Sequence, residues 1–349
     1  MTHRTRPRVA RRPFLILTAL ALTLLAVSAV SLDLGPEYIA PGAVAGMALQ
    51  WLPIHPTRSW SDVDLTIITL VRLPRLLTAI LVGAALAAAG TAFQALFRNP
   101  LADPGIVGTS AGASMGAILA LALPVQAAWL GFSLVSIAAF AGALGAMLLV
   151  YSLARVGSRL PSTTLLLAGF AVSAAMNAGA ALIESLSDQL RQMYTWLLGN
   201  LDQNTTSQLA ASLPLLAIGI LGLVALAGDL NVLLLGDEQA HYLGMHVARR
   251  RLLILILGSL LTSVSVALAG LIAFVGLLVP HIARMLFGAN HRLLLPASML
   301  LGAGFLTVAD ILARMVLAPQ ELPVGLVTAL VGAPWFLVLL RRKKGEYGF

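Results

Sequence analysis

The chain has 349 residues, with 22 Lys and Arg, 14 Asp and Glu, six His and no Cys. Without thiols there is no disulfide, no thiol nucleophile and no thiolate metal or iron–sulfur site, and cysteine usage leaves the compartment open. A phosphate-cradling loop needs a glycine-rich turn ending in Lys-Ser or Lys-Thr. The only lysines are Lys343 and Lys344 in the tail, so ATP hydrolysis by that route is excluded on this chain. The histidines lack the two-on-one-face spacing of a zinc site, and no Ser/His/Asp or paired-carboxylate constellation is placed for catalysis. Three arrangements remain. Asp310 and Arg314 stand four apart on one helix face and can pair, as a structural ion pair or as an ion site. Arg72-Leu73-Pro74-Arg75 brings two arginines close together. Gly236-Asp237-Glu238-Gln239-Ala240-His241-Tyr242-Leu243-Gly244, followed by Arg249-Arg250-Arg251, puts acids first and a glycine last. That order suits an exposed helical turn with its dipole satisfied, and equally a solvated linker.

The elements holding these residues are set by solvent. Apolar residues make up 59% of the chain, charged ones 10%, and mean hydropathy is +0.93, whereas soluble domains carry roughly 25% charged residues. The net charge of +8 would suggest nucleic acid only as a basic face on a soluble fold. Here the basic residues fall in gaps between apolar runs, the pattern of membrane topology, so nucleic acid is not an expected partner and lipid is.

A crossing needs about 20 residues almost free of charge, because bare charges and unpaired amides are costly in hydrocarbon. Charge-free windows fall at 14–32, 76–97, 104–154, 160–183, 203–228, 252–283, 293–309 and 322–340. Two are too long for one crossing, at about 75 Å and about 48 Å of helix. Each is expected to hold two spans, broken near Pro124 and near Gly270 or Gly276. The chain is thus expected to be an all-α polytopic membrane protein with ten transmembrane helices. Its parts are a basic N-terminus over 1–13, one membrane domain over 14–341 with a polar loop at about 229–250, and a tail over 342–349.

Lys and Arg favour the cytoplasmic side. Arg4, Arg6, Arg8, Arg11 and Arg12 precede the first span, and Arg341, Arg342, Lys343 and Lys344 follow the last, so both termini are expected inside. Ten spans place 17 basic residues inside and five outside, the five being Arg58, Arg72, Arg75, Arg191 and Arg314. Nine spans would put the basic tail outside. A cleaved signal peptide is the other reading of the first segment, but its apolar stretch from Phe14 to Leu32 exceeds a usual h-region. The 236–244 loop then lies inside. Arg72 and Arg75 lie outside, against the charge bias, which fits either docking of an acidic partner or anionic cargo, or a headgroup anchor. Gly108, Gly112, Gly116, Gly83 and Ala87 form small-residue ridges that let helices approach closely. Arg75-Leu76-Leu77 with Gly83 echoes Arg251-Leu252-Leu253 with Gly258 on a span of opposite direction, as inverted repeats do.

A long run of motifs resembles one family. Arg72-Leu73-Pro74-Arg75 is followed by Gln94-Ala95-Leu96-Phe97-Arg98-Asn99-Pro100-Leu101-Ala102-Asp103-Pro104-Gly105, and then by Leu165-Leu166-Leu167-Ala168-Gly169. After the 236–244 loop come Gly276-Leu277-Leu278-Val279-Pro280-His281, Asp310-Ile311-Leu312-Ala313-Arg314 and Glu321-Leu322-Pro323-Val324-Gly325. In this order, over roughly residues 65–343, they resemble the FecCD-type permeases of binding-protein-dependent ABC importers. Residues 1–64 match only in general character.

The resemblance implies the type II importer permease fold with ten spans, a homodimer with a central pathway, two ATPase subunits on the cytoplasmic face and a periplasmic binding protein. ATP and Mg would belong to the ATPase, with no cofactor on this chain, and the location would be a bacterial inner membrane. It implies a coupling helix at Gly236, Asp237, Glu238, Ala240, Leu243 and Gly244. It also implies a cytoplasmic gate at Asn99, Leu101, Thr163 and Thr164, and docking of the binding protein at Arg72, Arg75 and Arg314. The expected cargo is an iron chelate, either haem or a ferric siderophore, with cobalamin as the alternative. An ion-coupled carrier or a channel-like pore would be the other classes, the carrier disfavoured because intramembrane carboxylates are so few. Met176, Asn177 and Met193 are candidates for the pathway lining.

Overall fold

The computed structural model describes residues 11–50, 60–125, 127–129, 131–157, 160–202 and 204–343. Arg4, Arg6, Arg8, Arg58, Arg159 and Lys344, used above in the charge count, lie outside the described residues, as does most of the 1–13 and 342–349 segments. Helices dominate, and among the described residues the only strands are β1 (Ala128–Trp129) and β2 (Phe132–Ser133), a two-residue antiparallel hairpin.

Chain order begins with α1 (Arg11–Asp33), the short α2 (Pro41–Leu49) and α3 (Asp62–Thr66), a π-helical turn (Ile67–Arg72) and α4 (Leu73–Leu96). A 3-10 turn (Pro104–Val107) leads into α5 (Thr109–Ala122), and after the hairpin come α6 (Leu134–Ala154), α7 (Ser162–Leu186) and the short α8 (Leu190–Leu197). The rest is α9 (Thr206–Ala225), α10 (Ala227–Leu233), α11 (Asp237–Tyr242), α12 (Val247–Ala269), α13 (Val275–Phe287), α14 (His291–Met315) and α15 (Val324–Lys343). Seven stretches among the described residues are long and apolar enough to cross a membrane: 13–33, 62–96, 134–154, 162–186, 206–225, 247–269 and 291–315. Three shorter apolar helices, 109–122, 275–287 and 324–338, stand beside them.

The breaks in the two long windows follow from local chemistry. α5 ends at Ala122, ahead of Pro124, whose ring forbids a helical predecessor. Gly270, at φ +66°, ends α12 where a side chain would be strained.

α4 and α12 lie at the centre and are buried along most of their length, while α1 and α7 turn most of their surface outward. Packing at the centre depends on bare backbone. A Cβ on Gly83 would sit 2.3 Å from the Gly302 carbonyl oxygen, and one on Gly90 1.8 Å from that of Gly276. The Gly112 and Gly116 ridge does the same against α6, at 2.3 Å from Gly142 O and 2.1 Å from Ala138 O. Where lipid offers no hydrophobic drive, such approach supplies dispersion contacts instead. Three polar side chains inside α12 are satisfied within the helix: Thr262, Ser263 and Ser265 donate to the carbonyls of Gly258, Ser259 and Leu261.

The connection after α4 turns back into the bundle. Both Pro104 and the Leu86 carbonyl lie within 3.0 Å of where a Gly276 Cβ would be. Leu86 is three turns before the end of α4, so the chain has climbed roughly 15 Å by Pro104. That climb is why α5 is only 14 residues long. A cavity of about 320 Å³ lies beside it, lined by Leu86, Asp103, Ser110, Thr262 and Phe274 among others.

Candidate functional site

The predicted site residues fall into two groups at opposite ends of the bundle. At one end lie the start of α4 and the ends of α1 and α14. Arg75 Nε is 2.7 Å from Asp310 Oδ1, and Arg75 also donates to Glu321 Oε2 at 2.6 Å. Arg314 Nε approaches Asp310 Oδ2 at 3.1 Å as an ion pair without hydrogen-bond alignment. Its other nitrogens donate to the Leu34 carbonyl at 2.8 Å and to Ser31 Oγ at 2.9 Å. Arg72 donates to the carbonyls of Leu32, Asp33 and Glu37. The carboxyl end of α1 thus supplies acceptors to two arginines, where its last carbonyls have no helical partners of their own.

All three arginines are buried in the single chain, at 4–5% exposure, which charge bias alone did not reveal. The Asp310–Arg314 pair, left open as structural or ion-binding, is a structural pair with both carboxylate oxygens engaged by guanidinium groups. Burial makes such a cluster costly to break, since any member left alone is an uncompensated charge.

At the other end, α11 stands between α10 and α12. Gly236, at φ +109°, precedes it, and Gly244, at φ +82°, follows it. Ala240 is fully buried and anchors the turn, while Glu238, Tyr242, Leu243 and Gly244 are exposed. The Met245 N–H closes the loop on the Ala240 carbonyl at 3.0 Å. Asp237 Oδ1 accepts from Arg251 at 2.8 Å and faces Arg98 at 3.7 Å. Arg251 also donates to the Leu160 carbonyl at 2.9 Å. The expected helical turn is therefore present, and the solvated-linker reading fails because Ala240 and Gly236 pack inward.

Asn99 and Leu101 sit in the connection after α4, where Asn99 Oδ1 accepts from the Leu101 N–H at 2.9 Å. Thr163 and Thr164 are in the first turn of α7, Thr163 exposed and Thr164 half-buried. Among the described residues no hydrogen bond joins the two pairs. α7 and this connection do pack together further in, where a Gly169 Cβ would lie 2.1 Å from the Ile106 carbonyl oxygen.

Of the three candidate lining residues, Asn177 is exposed midway along α7 and Met176 is partly buried. Met193 is fully buried against Ile118, Leu121 and Ala180. It is core, and the pathway reading for it is corrected: Leu190, Met193 and Leu197 stand at helical spacing on one apolar face of α8, and Met193 is the buried member of it.

Sequence reasoning missed Arg98 and Arg251, the partners of Asp237, and Asn231. Asn231 Oδ1 accepts from the His291 N–H at 2.8 Å and meets His291 Nδ1 at 2.8 Å. The echo between Arg75 and Arg251 was the available signal. Both prove to be buried arginines near the starts of central helices, held in ion pairs at opposite ends of the bundle.

Nearly the whole chain is similar to known proteins. The model of the FecCD transport family matches residues 16–342. The hemin transport system permease protein HmuU of Yersinia pestis is 46% identical over 281 residues, covering 79% of this chain and 83% of that one. The vitamin B12 import system permease protein BtuC of Klebsiella pneumoniae is 40% identical over 333 residues, covering 95% and 94%. A solved inward-facing conformation described as of the metal-chelate type of ABC transporter superimposes with a TM-score of 0.79 at 31% identity, over 94% of this chain and 99% of that one. A many-helix membrane architecture, a continuous match along nearly all the chain and shared backbone geometry converge, and the chain belongs to the FecCD transport family.

Proposed function

We propose that this chain is the permease subunit of an ATP-driven importer, one of two identical copies enclosing a central pathway in a bacterial inner membrane. The seven long apolar stretches and the three shorter ones together form ten spans within a domain over 14–341, and both basic ends face the cytoplasm. The observation that carries the reading is α11: a one-turn helix pinned from behind by Ala240 and Asp237, with Tyr242 and Leu243 exposed at 79% and 65%. Apolar side chains held out from a membrane protein among the exposed arginines 249 and 250 fit a socket on a soluble partner. That partner is an ATPase subunit, one per copy, which binds ATP and Mg.

Arg72, Arg75 and Arg314 form the base of the docking face for a periplasmic binding protein. In the undocked state the end of α1 and Glu321 occupy their guanidinium groups, and acidic side chains of the loaded binding protein displace those acceptors. Asn99, Leu101, Thr163 and Thr164 close the cytoplasmic side of the pathway when the two copies meet. The second copy sits against α7, because Asn177 is a polar amide exposed mid-span, where lipid would leave it unsatisfied. Binding of ATP on the partner biases two packings of the dimer, and the pathway opens to one side and then the other.

The cargo is an iron chelate, either haem or a ferric siderophore, as the identity to the hemin permease supports. Cobalamin is the second reading, favoured by the vitamin B12 permease that aligns over 95% of the chain. An ion-coupled carrier is disfavoured because Asp310 is committed to two arginines.

The test is uptake into proteoliposomes holding the permease, its cognate ATPase and its binding protein, with haem, a ferric siderophore and cobalamin supplied in turn. ATP-dependent uptake of one iron chelate is the expected result. Uptake that persists without the ATPase and collapses with the membrane potential would reject the proposal.

A further inference from the structure

Asp237 is held from two sides, and each holder leads to one half of the residues read as the gate. Arg251 is 6% exposed at the side chain and forks: one nitrogen donates to Asp237 Oδ1 at 2.8 Å, the other to the Leu160 carbonyl at 2.9 Å. Leu160 precedes Pro161, the residue that caps α7, and the Pro161 carbonyl accepts from the Leu165 N–H at 3.0 Å. The guanidinium thus ties α11 to the first turn of α7, which carries Thr163 and Thr164. A planar fork can hold two acceptors at a fixed separation, whereas a lysine is a point charge on a loose stem.

Arg98 makes the second tie. Its Nη2 lies 3.7 Å from the same Asp237 oxygen, an ion pair between half-exposed side chains, and a Cβ on Gly236 would stand 3.3 Å from its Nη1. Its backbone is unusual: φ is +51° at the end of α4. The Arg98 N–H donates to the Ala95 carbonyl and the Asn99 N–H to the Gln94 carbonyl, both at 3.1 Å. This is the Schellman closure of a helix, whose left-handed position normally belongs to glycine. Arginine at that position is strained, so its side chain is held for something other than ending the helix. The next residue is Asn99, whose side chain shapes the turn to Leu101.

We propose that Arg98 and Arg251 are positioning residues that carry the displacement of α11 to the two halves of the gate, with Asp237 as the joint. The proposal rests on the reading of α11 as the ATPase contact and of Asn99, Leu101, Thr163 and Thr164 as the gate. The Arg251 strut transmits motion because its two ends are hydrogen bonds on short, helix-anchored segments, while Arg98 acts on Asp237 as a neighbouring charge between half-exposed side chains.

The experiment uses the full complex of permease, ATPase and binding protein in proteoliposomes, with ATP hydrolysis and cargo uptake measured on the same sample. Arg251→Lys keeps the charge but loses the fork. Arg98→Gly removes the tie while relieving the left-handed strain, so thermal stability holds or rises, opposite in sign to the loss of a structural contact. Both variants are expected to assemble with the ATPase and hydrolyse ATP, while uptake per ATP falls roughly tenfold or more in Arg251→Lys, the scale of one lost charge-assisted hydrogen bond, and about two- to fivefold in Arg98→Gly, the scale of an exposed ion pair. Because the chain has no cysteine, a spin label at Ser162→Cys reports the start of α7. Its ATP-driven shift between the two copies is expected to shrink in Arg251→Lys.

Unchanged uptake per ATP in both variants overturns the proposal, and so does loss of ATPase assembly in either, since that would make the arginines part of the docking surface. A wild-type chain that neither binds the ATPase nor transports is a separate outcome: it refutes the importer reading and the struts with it.

Discussion

Asp310→Asn isolates the buried charge cluster. The substitution keeps the shape of the side chain, so no cavity forms, and removes only the negative charge, with hydrogen-bond capacity reduced. Asp310 is 1% exposed and lies 2.7 Å from Arg75 Nε and 3.1 Å from Arg314 Nε. At an effective dielectric of about 20, each contact is worth roughly 5–6 kcal/mol of gross Coulomb attraction, most of it offset by desolvation of the charges. After the change Arg75 keeps Glu321, which is 34% exposed. Arg314 keeps only neutral acceptors, the Leu34 and Ser31 carbonyls and Ser31 Oγ. Two guanidinium groups then share only the partly exposed Glu321 as a nearby anion, and the expected loss is ~3–5 kcal/mol, the range for breaking a buried pair from one side. The assay is SDS-induced unfolding in mixed micelles, followed by tryptophan fluorescence. A triple replacement, Arg75→Met, Asp310→Leu and Arg314→Met, is expected to recover most of that stability, because apolar packing avoids the desolvation altogether. If Asp310→Asn unfolds within ~0.5 kcal/mol of wild type, the scale of an ordinary surface substitution, the cluster does not hold the fold together by buried charge pairing.

Gly90→Ala places a methyl group 1.8 Å from the Gly276 carbonyl oxygen. Since the obstacle is backbone, α4 and α13 must part, and a loss of about 1–3 kcal/mol or more is expected as a lower monodisperse fraction on size exclusion in detergent. Asn231→Leu strands the His291 N–H and ring in a fully buried site. A cost of ~1–3 kcal/mol is expected in the same micelle assay, with Asn231→Ser recovering part of it.

Composition and spacing alone determined the class of molecule and its gross layout. Lipid tolerates neither bare charge nor unpaired amides, so the charge-free windows mark apolar helices, and Pro124 and Gly270 end helices for reasons internal to one residue. The glycine ridges were legible for the same reason: a residue without a Cβ at every fourth position leaves a groove whatever comes to fill it. The helical turn at 237–242 was legible because its glycines and leading acids are local signals, as was the pairing of Asp310 with Arg314 four residues on.

What tertiary structure decided is everything that depends on which elements become neighbours. Arg72, Arg75 and Arg314 read as outward charges in the sequence, yet the end of α1, some 40 residues before Arg72, supplies its carbonyls to Arg72 and Arg314, and Asp310 and Glu321 hold Arg75. Met193 looked like a lining residue and proves to be core, packed among Ile118, Leu121 and Ala180 of α5 and α7. The climb of residues 97–108 into the bundle, which shortens α5, depends on Pro104 meeting Gly276, 172 residues away. Arg251 reaches Leu160 across 91 residues. A side chain several ångströms long meets partners chosen by packing, and one-dimensional periodicity holds no record of that choice.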